Sequence, residues 1–204
     1  MTAIIAIMVQ RPKGKPFIQI VSDSKRTTTD LPGSETYRTE ENDAKKIFKI
    51  NKTVITISGS FDPHYQINLI KELSINTKKD ISLVSFTEFV LTYTKSYIET
   101  AHPDVGIKIV IGKIESNVPK MSSFIATKNK DISADYIEIP KNNLRLIMNG
   151  ENPPKYLLEK YENPSLYGDF SPPSVRKVAE EYLTEMHRLH PNTCNEIFQS
   201  TLVI

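Results

Sequence analysis

Apolar positions along the chain fall into short runs separated by polar turns, and the spacing inside each run separates strands from helices. Residues 2–9 are almost continuously apolar and rich in β-branched side chains, the pattern of a strand covered on both faces. A basic turn, Arg11-Pro12-Lys13-Gly14-Lys15-Pro16, leads to a second apolar run at 17–21 that ends in Ser22-Asp23-Ser24, which predicts a hairpin. Residues 24–43 are polar, contain Pro32-Gly33, show almost no apolar periodicity and read as a long loop. Short strands are expected at 46–50 and 53–58, joined by Asn51-Lys52, a pair suited to a tight connection. Gly59-Ser60-Phe61-Asp62-Pro63 then breaks the strand pattern.

Tyr65, Ile67, Leu69, Ile70 and Leu73 follow at rough helical spacing. Ser85-Phe86-Thr87-Glu88 resembles a capping box ahead of Phe89, Val90, Tyr93, Tyr97 and Ile98, which recur every three or four residues. Four strands are expected next, at 107–114, 121–127, 136–139 and 144–148, with Asn142-Asn143 and Asn149-Gly150 as turns. Beyond Pro153-Pro154 comes a short helix through Leu158, then the best-marked helix of the chain. Ser171-Pro172 gives it a cap and a first-turn proline, and Val175, Val178, Ala179, Tyr182, Leu183 and Met186 form one apolar stripe. Its other face, Arg176, Lys177, Glu180, Glu181 and Glu185, reads as a solvated surface. A last strand is expected at 197–204.

The order strands, two helices, strands, two helices, strand is not the strict alternation of a parallel doubly wound sheet. It predicts an α+β protein in which two antiparallel sheets pack together with helices outside both. No internal repeat or low-complexity linker divides residues 1–204, so one domain is expected.

Composition narrows the function more than the fold. With 39% hydrophobic and 25% charged residues the chain is expected to be globular, and a net charge of +2 is too balanced to attract a phosphate backbone, so no nucleic-acid partner is expected. The first apolar run is too short for a membrane span and lacks the flanks of a signal peptide. No later run approaches the roughly 20 apolar residues that a span needs, so no membrane association is expected. Cys194 is the only cysteine, which rules out an intrachain disulfide and fits a reducing cytoplasm. His187, His190 and Cys194 have metal-ligand chemistry, but histidines are favoured as cations where a helix ends, and neither a metal nor a cofactor is expected.

Candidate chemistry begins with Thr2, which becomes the N-terminus if Met1 is removed; its hydroxyl would then share a residue with an α-amine that titrates near neutrality and can act as base. Three more pieces accompany it: Ser22-Asp23-Ser24 at the end of the second strand, Ala44-Lys45-Lys46-Ile47 entering the third, and Ser58-Gly59-Ser60 before the first helix. In order and approximate spacing they resemble the proteasome β-subunit family, including the peptidase subunit of the bacterial ATP-dependent protease. The resemblance implies a four-layer αββα sandwich, the N-terminal-nucleophile hydrolase fold, and a threonine peptidase. It assigns Thr2 as nucleophile, Asp23 and Lys46 as the charged pair beside it, and Gly59 as an oxyanion-hole amide. Arg26, Ala44 and Ile57 would flank the pocket for the substrate side chain. It further implies a peptide or unfolded-protein substrate, a homo-oligomeric ring or stack, and an ATPase unfoldase as partner.

The second half departs from the family pattern. A supporting serine is replaced by Asn149-Gly150-Glu151, and in the place of an Asp-x-x-Ser-Gly element stands His190-Pro191-Asn192-Thr193-Cys194, where Thr193 would replace the serine hydroxyl. Two alternatives therefore stay open: a catalytically silent scaffold subunit of the same fold, and an amidase acting on a small molecule.

Overall fold

The computed structural model describes residues 3–11, 13–29, 38–41, 44–78, 80–128, 130–139, 143–150, 153–192 and 194–204, with the backbone path alone at 26–29, 38–41 and 143–150. The first strand, β1 (Ala3–Gln10), is buried along its whole length. Alternate residues of a strand point to opposite faces, and here both faces are covered. Ile5, Ile7 and Val9 pack in one core with helical residues, while Ile4, Ala6 and Met8 pack in another between the sheets.

β1 pairs antiparallel with β2 (Phe17–Asp23) on one edge and with β10 (Asn143–Gly150) on the other, and β2 pairs with β11 (Phe198–Val203). The first sheet therefore runs β10-β1-β2-β11. The second runs β5 (Ile47–Ile50), β6 (Thr53–Ser60), β7 (Gly106–Glu115), β8 (Val118–Thr127) and β9 (Asp135–Glu138), each antiparallel to its neighbour. Between the sheets, Ile18 and Ile20 meet Ile47, Val54, Val110 and Met121.

Two helices, α1 (Pro63–Asn76) and α2 (Leu83–Thr100), cover the second sheet, burying Tyr65, Leu69, Phe86 and Val90 against Ile55, Ile57, Ile107 and Ile109. The first sheet is covered by α3 (Lys155–Tyr161), a 3₁₀ turn at Pro164–Tyr167, and α4 (Pro172–Leu189), whose Val175, Ala179, Tyr182, Leu183 and Met186 are buried with Ile5, Ile7 and Phe17. All six residues of the apolar stripe expected on α4 are buried, and Ser171 caps the helix by accepting from the Ser174 amide. The layers are helix, sheet, sheet, helix, as the order of elements predicts.

Four expectations need correction. The polar stretch 24–43 contains a short antiparallel hairpin, β3 (Arg26–Thr29) with β4 (Arg38–Glu41). The three threonines of Arg-Thr-Thr-Thr are β-branched without being apolar, so a search for apolar runs passes over them. Second, β6 does not stop before Gly59 but continues to Ser60, pairing Gly59 with Ile107. Third, α2 starts at Leu83 with Ser82 as its cap, three residues ahead of the apparent capping box. Finally, Asn149-Gly150 is no turn: both residues lie in β10, opposite Ile4 and Ala3. Pairing with a fully buried central strand outweighs the turn preference of the dipeptide.

Candidate active site

Asp23 is the last residue of β2, so its side chain emerges where the strand ends beside the start of β1. One carboxylate oxygen, Oδ2, accepts from the Ala3 amide at 3.0 Å. The other, Oδ1, is bound by Lys46 Nζ, which also donates to the Lys25 carbonyl. Asp23 is 0% exposed and Lys46 4%, so this is a buried ion pair at the head of the first strand. Burial pushes the Asp23 carboxyl above its ordinary value, and the Lys46 charge, the Ala3 amide and a hydrogen bond from the Cys194 thiol pull against it. The competition matters chemically, because two charges taken out of water stay paired only when their remaining bonding capacity is filled.

The Ala3 amide and the Cys194 thiol fill it for Asp23 and the Lys25 carbonyl for Lys46, and the chain around them is tied down in turn. Residues 194–199 lie along the end of β2: the Ser24 amide donates to Asn195 Oδ1 at 3.1 Å, Asn195 Nδ2 donates to Ser24 Oγ at 3.3 Å, and Lys25 Nζ donates to the Pro191 carbonyl at 3.2 Å. His190 closes α4, and its carbonyl accepts from the Cys194 amide at 2.9 Å. His187 bonds the Cys194 carbonyl through Nδ1 at 2.9 Å, which ties both histidines to this loop. Among the described residues no three His, Cys, Asp or Glu side chains gather as metal ligands.

Gly59 stands near the end of β6 with φ +121°, and a β-carbon there would lie 2.0 Å from the Gly106 carbonyl oxygen. Only glycine fits, since the left-handed region and the close backbone both exclude a side chain. Ala44 is buried and its amide donates to the Ser24 carbonyl at 2.9 Å, which brings it beside Asp23. Ile57 has its side chain in the core under α1 and α2. Arg26 opens β3, three residues after Asp23. Thr2 and Thr193 lie outside the described residues, as does Glu151, while Asn149 and Gly150 flank the head of β1 through β10.

Sequence reasoning missed the polar frame around Lys46. Gln66 and Gln199 bond the backbone of residues 44–46, and Cys194 bonds Asp23 directly. For Gln66 a signal exists: it occupies a buried position in register with Leu69 and Leu73 on α1, where an apolar residue is the default. Gln199 on a strand rich in polar residues carries no such mark.

Two antiparallel sheets face to face with a helical layer outside each are the architecture of the proteasome-like N-terminal-nucleophile hydrolase fold. Solved structures share it at low identity. Thiobacillus denitrificans BPH in complex with epoxomicin is 15% identical with a TM-score of 0.55, over 99% of this chain and 97% of that one. The Anbu (Gly-1) mutant from Hyphomicrobium sp. strain MC1 is 13% identical with a TM-score of 0.57, over 98% and 80%. No family model and no curated protein matches the chain. Among the described residues no helix is long and apolar enough to cross a membrane.

Proposed function

We propose that the chain is a threonine-type N-terminal-nucleophile hydrolase that cleaves peptide amide bonds after removal of Met1. The observation that carries this reading is the bond from the Ala3 amide to Asp23, whose other oxygen holds Lys46: through Asp23 the buried cation is tied to the residue that follows Thr2. An ammonium there favours the neutral form of a Thr2 amine, because a nearby like charge opposes its protonation. The amine then takes the proton from the Thr2 hydroxyl, and Oγ attacks the substrate carbonyl carbon. As the tetrahedral oxyanion collapses, the carbon–nitrogen bond breaks, the amine returns the proton to the departing nitrogen, and an ester remains on Thr2. Water hydrolyses that ester and restores the hydroxyl.

Gly59 donates its amide to the oxyanion in this reading, a contribution of about 3–4 kcal/mol to the transition state in comparable sites. The Ile57 amide donates to Lys46 O at 3.4 Å, and strand alternation directs the Gly59 amide, two residues on, to the same edge of β6. Arg26 and Ala44 flank the substrate side chain, Ile57 contributes only its backbone there because its side chain is in the core under α1 and α2, and Thr193 supports the nucleophile. The assembly is a homo-oligomeric ring or stack in the cytoplasm, fed with peptides or unfolded protein, with an ATPase unfoldase as partner.

Intact mass spectrometry of the native protein is expected to give a mass beginning at Thr2. A β-lactone or epoxyketone is expected to add to it once and to fail on Thr2→Ala. Retention of Met1 with no adduct would overturn the enzyme reading and leave the silent scaffold. Hydrolysis of small amides without cleavage of a peptide library would replace peptidase by amidase.

A further inference from the structure

Lys46 is carried by residues 44–46, a segment that is neither helix nor strand, yet its backbone is held from four sides. The Ala44 amide donates to the Ser24 carbonyl at 2.9 Å, and Lys46 O accepts from the Ile57 amide at 3.4 Å. Gln199 Nε2 donates to Ala44 O at 2.7 Å while its Oε1 accepts from the Lys46 amide at 3.0 Å. Gln66 Nε2 donates to Lys45 O at 3.0 Å. One primary amide therefore grips both ends of the segment, as a neighbouring strand would, and a second holds its middle. They arrive from different layers: Gln199 from β11 of the first sheet, and Gln66 from α1 over the second, where it is 4% exposed.

We propose that Gln199 and Gln66 are positioning residues that fix the Lys46 ammonium beside the chain start by filling the backbone bonds of residues 44–46. The proposal rests on the Thr2 reading only for its effect on rate. A methionine in either place keeps length and packing but can neither donate nor accept at the required strength, so it strands polar groups of the segment inside the protein. The segment then relaxes toward water and carries Lys46 with it. Displacements of about 1 Å are enough to cost such sites a large factor in rate.

The test uses Gln199→Met and Gln66→Met in the full chain, with exchange of the Ile20 amide as a check that the first sheet is intact. In Gln199→Met the Lys46 amide is expected to exchange about tenfold faster or more while Ile20 is unchanged. Titration of Lys46 followed at its ε-carbon by NMR is expected to differ from the wild type in both variants. β-Lactone addition to Thr2 is expected to slow about tenfold or more, with the acid limb of its pH profile moved upward as the amine loses its neighbouring cation. An unchanged Lys46 amide in Gln199→Met overturns the proposal, and so does faster exchange with an unaltered rate and pH profile. Should Gln199→Met fail to fold, Gln66→Met decides on the titration, rate and profile. Should wild-type Thr2 take no adduct, the Thr2 reading fails; amide exchange and the lysine titration then decide the glutamines alone, unchanged values overturning them.

Discussion

Removing the Lys46 ammonium leaves the Asp23 carboxylate buried with, among the described residues, one bond from the Ala3 amide and one from a thiol, too little to hold a charge out of water. Lys46→Met is expected to cost about 3–5 kcal/mol in denaturant unfolding, and the double variant Asp23→Asn with Lys46→Met should recover much of that, because no unpaired charge remains. Gly59→Ala puts a side chain at φ +121° against the Gly106 carbonyl, and at least about 1–3 kcal/mol of backbone strain is expected, read as a lower midpoint of unfolding. Any loss of activity in that variant has to be compared with its stability before the amide is given a part in it. Asp23, Lys46 and Gly59 are legible in the sequence because each stands at a boundary between an apolar strand and a polar turn, in the order of the proteasome β-subunit pattern. Gln199 on its strand and Asn195 in the loop before it do not stand out, since polar residues in such places usually face water and only the fold brings these two to residues far away in sequence.

Among the elements, α4 was the most legible because all its information is local: cap, proline and stripe lie within one helix. Its N-terminus makes a pH prediction. Asp169 Oδ1 accepts from the Ser171 amide at 2.9 Å and from Ser174 Oγ at 2.8 Å, which holds its carboxyl down to about 2. Because the folded value lies below the unfolded one, the stabilisation is fully present above about pH 4 and is lost as pH falls through about 2. Thermal unfolding of the wild type should therefore lose a component across that window that Asp169→Asn lacks. Ser171→Ala is expected to cost about 1 kcal/mol at any pH above it, and Leu183→Ala, at a fully buried position, about 2–5 kcal/mol, both by urea unfolding. The pair β3 and β4 was illegible for the opposite reason: β3 is threonine-rich and β4 is Arg-Thr-Glu-Glu, so neither has an apolar rhythm. The start of α2 was misplaced because Ser82 and Ser85 both carry the side chain of a cap, and only Ser82 accepts a helical amide, from Ser85, at 3.0 Å.

At the scale of the whole molecule, the sandwich depends on how closely the sheets approach. Gly112 on β7 has no room for more: a β-carbon would lie 3.2 Å from Ile18 Cδ1 of the facing sheet and 3.2 Å from Val54 Cγ1. Gly112→Leu is expected to push the sheets apart at a cost of about 1–3 kcal/mol or more, measured as a fall in the thermal midpoint. The helix–sheet–sheet–helix order was readable because each strand group and helix pair is contiguous in sequence. The strand order within the first sheet was not, since the partners of β1 and β2 come from opposite ends of the chain and no local pattern announces them.

That strand order has a bearing on synthesis. β1 is made long before β10, its second neighbour, and the edge of β2 beside Asp23 stays open until residues 194–203 appear. Long-range pairing of this kind folds slowly and leaves apolar strands exposed meanwhile, so nascent chains should call on chaperones. It also means that the Asp23–Lys46 pair and the segment that carries the lysine gain their bonds from Cys194 and Gln199 only when the last strand is made.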